Sequence, residues 1–517
     1  MQEVVRNIRI EGAGMSDRRC VWLSAAACLL ILLGVSPQRT QAAPEAAGIA
    51  WFEGDVNAAF DAAKAANKPV FLYWGAKWCP PCQQLKSSVF LRSDFIEKSK
   101  EFVAVHLDGD DPGAQQWGEK FHVVGYPTVV ILRADHKEIL RISGGMDLSL
   151  YADLLDIALS DVKPMADVLA AVHGNGAAPS HGDCQRLAYN AWDLGDYAKP
   201  QRASVATDLA HAAAECAALS SIERARLIIA SAALKQSPES VTQVIGIVED
   251  PLVAPRVVDA LETLDEDFFK DVQSRGANVA AQFLTAWTRA MDIVANNPAV
   301  IDADQLYAIG TKLELVKQFA KDDKVPADLA AAAHARIAAA LAKNQDPFVR
   351  AGIVNAASHI YDQLGDEQAD YAMLKAELAT AKAPYYYMAD LGEIEEKRGN
   401  KAQALAWFAR AYAQSQGVAT RFQWGTLYLD ALLRLSPTDR TRIRQTGIEV
   451  IAELDGPERI QARTRMRLDK LDDGLRKWNA KHQYDADIQA MRARMSSVCG
   501  KLPSGDAGYA SCQKFLS

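Results

Sequence analysis

Between residues 49 and 160 the apolar positions change their period along the chain. Val56, Ala59, Phe60 and Ala63 fall on one face of an Ala-rich stretch, which predicts a helix over 56–66. Lys68-Pro69 stops it. Val70-Phe71-Leu72-Tyr73-Trp74 is a continuous apolar run with β-branched and aromatic residues, the pattern of a strand buried on both faces. Residues 102–107 and 128–132 read as two further strands. Residues 139–142 suit an edge strand, and 148–159 a closing helix. A strand–helix–strand run followed by a hairpin and a helix implies an α/β unit, a mixed sheet with helices on both faces.

From Lys163 to Gly182 the pattern lapses. Gly174-Asn175-Gly176 and Pro179-Ser180-His181-Gly182 read as an exposed linker. Beyond it strand signals nearly vanish, and Ala, Leu, Gln, Glu, Lys and Arg dominate from 184 to about 495, as in an all-α region. Gly or Pro interrupts this region every fifteen to twenty residues or so, the spacing of helical hairpins. Leu364-Gly365-Asp366 and Arg398-Gly399-Asn400 stand 34 residues apart, with Ala372 and Ala406, and Leu374 and Phe408, in the same register.

A chain of 517 residues is long for one domain, and 49% hydrophobic residues suffice for several cores. A net charge of −8 argues against nucleic acid as a partner. Arg18-Arg19, the apolar run 20–35 and Thr40-Gln41-Ala42 form an export signal, with cleavage expected after Ala42. An uncleaved anchor is the alternative, but the run is short for a span of about 20 residues. Met15 is an alternative start. Of eight cysteines, Cys20 and Cys28 leave with the signal. Cys184, Cys216, Cys499 and Cys512 allow three pairings, and proximity favours Cys184 with Cys216 and Cys499 with Cys512. Free buried thiols are the alternative.

Candidate chemistry lies in Trp78-Cys79-Pro80-Pro81-Cys82. Two cysteines separated by two residues can close a small disulfide ring, and rapid exchange needs the attacking sulfur partly ionised and reachable. Cys79 follows a buried strand and opens a helix over 81–89. Unpaired N–H groups and the helix dipole there favour its thiolate. Cys79 is thus the expected nucleophile, Cys82 the resolving thiol, and Trp78 an apolar lip. A zinc site would need two more ligands, and no second Cys or His pair supplies them, so no metal or cofactor is expected. A purely structural disulfide is the other alternative. Pro127 is expected to be cis, presenting Tyr126 to pair with an extended client chain.

Lys68-Pro69-Val70, the 78–82 motif, Ser88-Val89-Phe90, Leu107-Asp108 and Gly125-Tyr126-Pro127-Thr128 together resemble the thioredoxin superfamily. The branch they resemble contains the C-terminal domain of envelope transmembrane disulfide reductases. The resemblance covers about a fifth of the chain. It implies a thioredoxin fold, a Cys79 nucleophile, a Cys82 resolver and a cis Pro127. Two positions depart from it. Tyr73 stands where the family buries an aspartate that takes the resolving proton, and Ala104 where its lysine partner often lies. A phenol with an ordinary pKa of about 10 accepts protons poorly. Pro80 and Pro81 withhold two N–H donors from the sulfur, and no histidine separates the cysteines, which leans towards a reductase. In the helical half, Leu391-Gly392, Gly399, Ala404, Phe408 and Ala411 resemble the tetratricopeptide repeat. Glu377 stands where the repeat wants a small residue. Leu194-Gly195-Asp196-Tyr197 and Trp424-Gly425 are candidate degenerate copies.

These readings give a signal peptide at 1–42, a thioredoxin-like domain at 43–160, a linker at 161–183, a helical-repeat domain at 184–496 and a disulfide-bearing tail at 497–517. The expected function is a periplasmic thiol–disulfide oxidoreductase whose helical half holds client proteins or a partner. A membrane or soluble thiol would donate electrons, and no membrane span remains after cleavage. The alternative is an envelope scaffold with an accessory redox domain. His106 and His122 are expected to be packed or solvated. Asp108, Asp110 and Asp111 are expected to form a solvated loop, and residues 459–467 a mixed-charge exposed helix. Tyr385-Tyr386-Tyr387 are expected to serve packing, with a peptide groove as the alternative.

Overall fold

A computed structural model describes residues 48–516 except 112, 124, 173–178, 195–198, 321–323, 457–458, 504 and 507. The expected signal, the Gly174-Asn175-Gly176 stretch and Gly195-Asp196-Tyr197 lie outside the described residues.

The α/β half is built around β1 (Val70–Gly75), every residue of which is buried. It pairs in parallel with β2 (Val103–Asp108) and antiparallel with β3 (Thr128–Leu132), which pairs antiparallel with β4 (Glu138–Ser143). The order is β2-β1-β3-β4. Side chains alternate across the sheet. Val70, Leu72 and Trp74 face the Val56–Ala66 helix, through Val56, Ala59, Phe60 and Ala63. Asp55 caps that helix, accepting from Ala58 N at 2.9 Å, and left-handed Asn67 ends it. Phe71 and Tyr73 face the other way, onto Leu85, Val89, Phe90, Phe95 and the Tyr151–Ser160 helix.

That second core does not stop at residue 160. It continues through Met165, Val168, Val172, Cys184, Leu187, Trp192 and Leu209 to Leu227. The expected linker at 161–183 therefore needs correction. It contains a helix, Met165–Val172, whose apolar residues recur at helical spacing and bury against the α/β domain. Glycines and prolines on either side masked that short period. Buried Asp183 joins Ser180 in a capping box and bonds Lys163 and Arg186 at 3.0 and 2.5 Å. The exposed edge of β4 is closed in the same way. Arg141 N donates to Asn190 Oδ1 at 2.9 Å, and Arg141 O accepts from Ala191 N at 3.0 Å, so no free strand edge is offered there.

The rest of the described chain is helical, in antiparallel pairs. Residues 222–315 form one further core and 303–516 another. The 34-residue register is visible in the backbone: Gly365 and Gly399 both have positive φ, 66° and 77°, after the Pro347–Leu364 and Pro384–Lys397 helices. Leu374 and Phe408 are buried in equivalent places, and Ala404 and Ala411 are buried too, but Ala372 and Ala406 face solvent. Glu377, the misfit to the repeat, is buried and bonds Arg350 Nε at 3.0 Å across two helices. Trp424-Gly425 lies inside the Val418–Leu435 helix. Among the described residues, no helix is long and apolar enough to cross a membrane.

Candidate functional site

β1 delivers the chain into a short loop and then into the Pro80–Ser87 helix. Cys79 caps this helix in extended conformation, and its Sγ accepts from Cys82 N at 3.2 Å. Two prolines occupy the first helical positions, where an N–H would lack a helical partner in any case. Cys79 and Cys82 are joined as a disulfide, with Cα atoms 5.2 Å apart. Tyr126 packs against the pair, and the Tyr126–Pro127 peptide is cis. The Tyr126 hydroxyl lies 3.0 Å from Gln115 Nε2.

Tyr73, in the place of the family's buried acid, is fully buried, and its hydroxyl has no hydrogen-bond partner among the described residues. Gly75 makes room for it, since a Cβ there would lie 2.5 Å from Tyr73 Oη. Burial, with smaller contributions from Tyr151 and Asp108, pushes this phenol far above its usual range, so it holds its proton. Ala104 is buried and apolar. His106 lies opposite Tyr73 in the β1–β2 register and stacks on its ring, with centroids 5.0 Å apart. Burial lowers its pKa to about 4 and keeps it neutral.

Asp108 is not a solvated loop residue. It is 4% exposed, opposite Gly75 in the sheet, with its carboxyl pushed upward chiefly by desolvation. One of its oxygens accepts from Asp110 N at 3.1 Å, and the other has no hydrogen-bond partner among the described residues. Sequence reading placed it in a loop because two further aspartates follow. The strand instead runs through 108 and turns afterwards.

The largest correction concerns access. Rapid exchange called for a reachable Cys79, yet it is 2% exposed and Cys82 fully buried. Trp78 and Tyr126 pack on the pair, and the helical half packs on both of them. Trp78 donates from Nε1 to Thr420 Oγ1 at 2.9 Å, stacks on Tyr386 at 6.1 Å and meets Trp424 edge-on at 5.0 Å. The Arg463 guanidinium lies 4.4 Å above the Tyr126 ring and 5.9 Å from Trp78. Its Nη2 donates to Gln423 Oε1 at 3.2 Å, and its buried Nη1 has no partner among the described residues. A crevice of about 10 Å³ remains between Trp78, Tyr126, Gln423 and Arg463, room for about one water.

Two other expectations change with this closure. The stretch 459–467 is not an exposed helix face: Arg465 bonds Glu119 at 2.6 and 2.9 Å, and Ala462 N donates to the same carboxylate at 3.0 Å. Asp110 reaches Thr420 N at 2.9 Å and Thr420 Oγ1 at 2.5 Å. Tyr385, Tyr386 and Tyr387 are packing residues, and Tyr386 does so on Trp78 itself. Thr420, Gln423, Trp424 and Arg463 were missed as site residues. More than 300 positions separate them from the cysteines, and no local pattern marks them.

Cys184 is bonded to Cys216 and Cys499 to Cys512, with Cα separations of 6.3 and 5.7 Å. The first bond lies inside the core shared with the redox domain. The second ties the terminal Tyr509–Lys514 helix to the Asp485–Cys499 helix. Among the described residues, no three His, Cys, Asp or Glu side chains gather as a metal site.

Comparison with known proteins bears on the first part of the chain. Residues 56–158 match the family model of a thioredoxin-like domain. A solved chain described as DsbH oxidoreductase is 21% identical, covering 24% of this chain and 95% of its own, with a TM-score of 0.21. No curated protein matches.

Proposed function

We propose, starting from a thioredoxin-like domain at residues 56–158, that the protein is an exported thiol–disulfide oxidoreductase that reduces disulfides of client proteins. The single observation that carries this reading is Cys79 at the cap of the Pro80–Ser87 helix. Its sulfur lies within 3.2 Å of Cys82 N and is paired with Cys82 beside the Tyr126–Pro127 edge. At that position a thiolate receives an N–H and the positive end of the helix.

In the reduced protein the Cys79 thiolate attacks a client disulfide. A Cys79–client bond forms, the client S–S bond breaks, and the departing client sulfur takes a proton from water. Cys82 then gives up its proton and attacks Cys79 Sγ. The Cys79–Cys82 bond forms, and the second client thiol leaves. Two electrons pass to the client, and a dithiol donor, membrane-bound or soluble, restores the pair. Tyr73 keeps its own proton, so it cannot take the one from Cys82. That proton leaves through water or another group.

Export to the periplasm rests on the N-terminal signal pattern and on two disulfides buried away from the redox pair. Bonds of that kind persist outside the reducing cytoplasm. The paired helices of the C-terminal half, tetratricopeptide-like in register, are the part proposed to hold clients or a partner.

The test is capture. Cys82→Ser should accumulate mixed disulfides through Cys79, and mass spectrometry of the adducts reports clients and direction together. Cys79→Ser should abolish turnover of a small disulfide substrate. Full activity in Cys79→Ser would end this reading.

A further inference from the structure

Successive parts of the chain share apolar cores: 49–227, then 222–315, then 303–516. The contact that brings the last part back onto the redox domain is made differently. Beside the close packing of the Pro80–Ser87 helix on the Pro347–Leu364 helix, and of the Trp78 ring on Tyr386 and Trp424, it is made by hydrogen bonds and ion pairs: Gln84 with Asp304, Trp78 with Thr420, Asp110 with Thr420, and Glu119 with Ala462 and Arg465. Such contacts trade readily with water, whereas shared cores do not.

Two of them have a common form. The Val418–Leu435 helix begins after Gly417, which has no side chain to cap it, and Asp110 of the redox domain takes the N–H of its third residue, Thr420. The Ala462–His482 helix begins after Gln461, which makes no side-chain cap bond, and Glu119 of the redox domain takes the N–H of its first residue, Ala462. Two helices of the cover thus borrow their N-caps from the domain they cover, each as a carboxylate at a positive helix end. The approach is close. A Cβ at Gly417, whose φ is 90°, would lie 2.2 Å from Asp110 Cγ. Thr420 links cap and site, since its hydroxyl donates to Asp110 while accepting from Trp78 Nε1.

We infer that the C-terminal helices are a reversible cover over Cys79, latched by Asp110 and Glu119 acting as N-caps in trans, and that protein clients reach Cys79 only when this latch opens. The inference rests on the redox reading for its purpose but not for its geometry. In the closed form a protein disulfide cannot approach a cysteine that is only 2% exposed. Opening frees Trp78 and Tyr126 together, because Thr420, Gln423 and Arg463 line the crevice against both.

The experiment uses the full chain carrying Cys82→Ser, in which Cys79 is free, with modification at Cys79 located by mass spectrometry. Alkylation is timed with iodoacetamide and with a 5-kDa maleimide-polyethylene glycol (about 5 kDa, a bulky probe chosen to need an open site). The quantity read is the ratio of bulky to small rates. Changes in thiolate fraction cancel in it, which matters because Lys77, Lys382, Arg463 and Arg467 also line the crevices beside Trp78. Asp110→Ala with Glu119→Ala should raise the ratio, by between about twofold and thirtyfold per cap lost. Thr420→Val should raise it from the other side. Glu396→Ala, which breaks the 2.7 Å ion pair with Arg434 away from the closure, should leave it unchanged. An unchanged ratio in both latch variants, or an equal rise in Glu396→Ala, overturns the latch. If the ratio rises but the corresponding variants with Cys82 intact reduce no disulfide substrate, the latch stands and the redox reading fails.

Discussion

Tyr73 and His106 face each other across β1 and β2, and neither is placed to serve as a charged group. The histidine is half-buried between the rings of Trp51 and Tyr73, and its Nε2 has no hydrogen-bond partner among the described residues. Its pKa is lowered to about 4 by burial first and by Lys86 second. A group that resists protonation in the folded state weakens that state as acid is added. The loss begins below the ordinary histidine value of about 6.5 and grows until pH falls past about 4. His106→Phe keeps the stacked ring and removes the titration. The variant's thermal midpoint should therefore fall less than the parent's between pH 7 and pH 5, as read by calorimetry at fixed ionic strength. Equal falls would place the acid sensitivity elsewhere. The sequence marked Tyr73 as the departure from the family, but the depth of its burial and its histidine neighbour came only with the sheet register.

Elements in the helical half meet where small residues face large ones. Gly392 in the Pro384–Lys397 helix lies against Phe408 in the Lys401–Gln414 helix, and a Cβ on it would come within 2.7 to 2.9 Å of the Phe408 ring. Phe408 is 2% exposed and has no room to retreat. Gly392→Ala gains up to about 1 kcal/mol in helix propensity but overpacks a crossing, which costs about 1 to 3 kcal/mol. A lowered urea midpoint is expected, with partial recovery when Phe408→Leu is added. A raised midpoint would show that the crossing has slack. Elements of this kind were legible because their period is local. The Met165–Val172 helix was not, since two turns flanked by Gly and Pro give too few repeats of the helical period to outweigh the breakers.

For the whole molecule, the closure adds a pH dependence of its own. Asp304, in the first turn of the Asp302–Phe319 helix, accepts from Gln84 Nε2 at 2.5 Å where it meets the Pro80–Ser87 helix. Desolvation raises its pKa to about 6, against the opposing effect of that hydrogen bond. A raised value means that the protonated form is favoured in the closed state. This contribution is full below the ordinary aspartate value of about 4 and is lost as pH rises through about 6. The midpoint of the parent relative to Asp304→Asn should decline as pH goes from 4 to 7. A flat difference would mean that Asp304 meets the same environment open and closed. Glu119 runs the other way. Arg465 holds its carboxyl below the usual range, so the latch persists into mild acid and weakens only as pH falls through that depressed value.

Periodicity and local motif chemistry determined the α/β half, the place of the helical half, and the strand–Cys-Pro-Pro-Cys–helix junction. Those features depend on neighbours a few residues apart, and a thioredoxin-like pattern carries its meaning in short spacings. Where the 161–183 segment packs, how deeply Asp108 is buried and what covers Cys79 were decided by tertiary structure. Each depends on contacts between residues tens to hundreds of positions apart. No hydrophobic period records that Thr420 meets Asp110, or that a helix starting at residue 462 takes its cap from Glu119. A hydrogen bond between distant polar groups leaves no pattern in the chain, because either residue alone suits an exposed surface equally well.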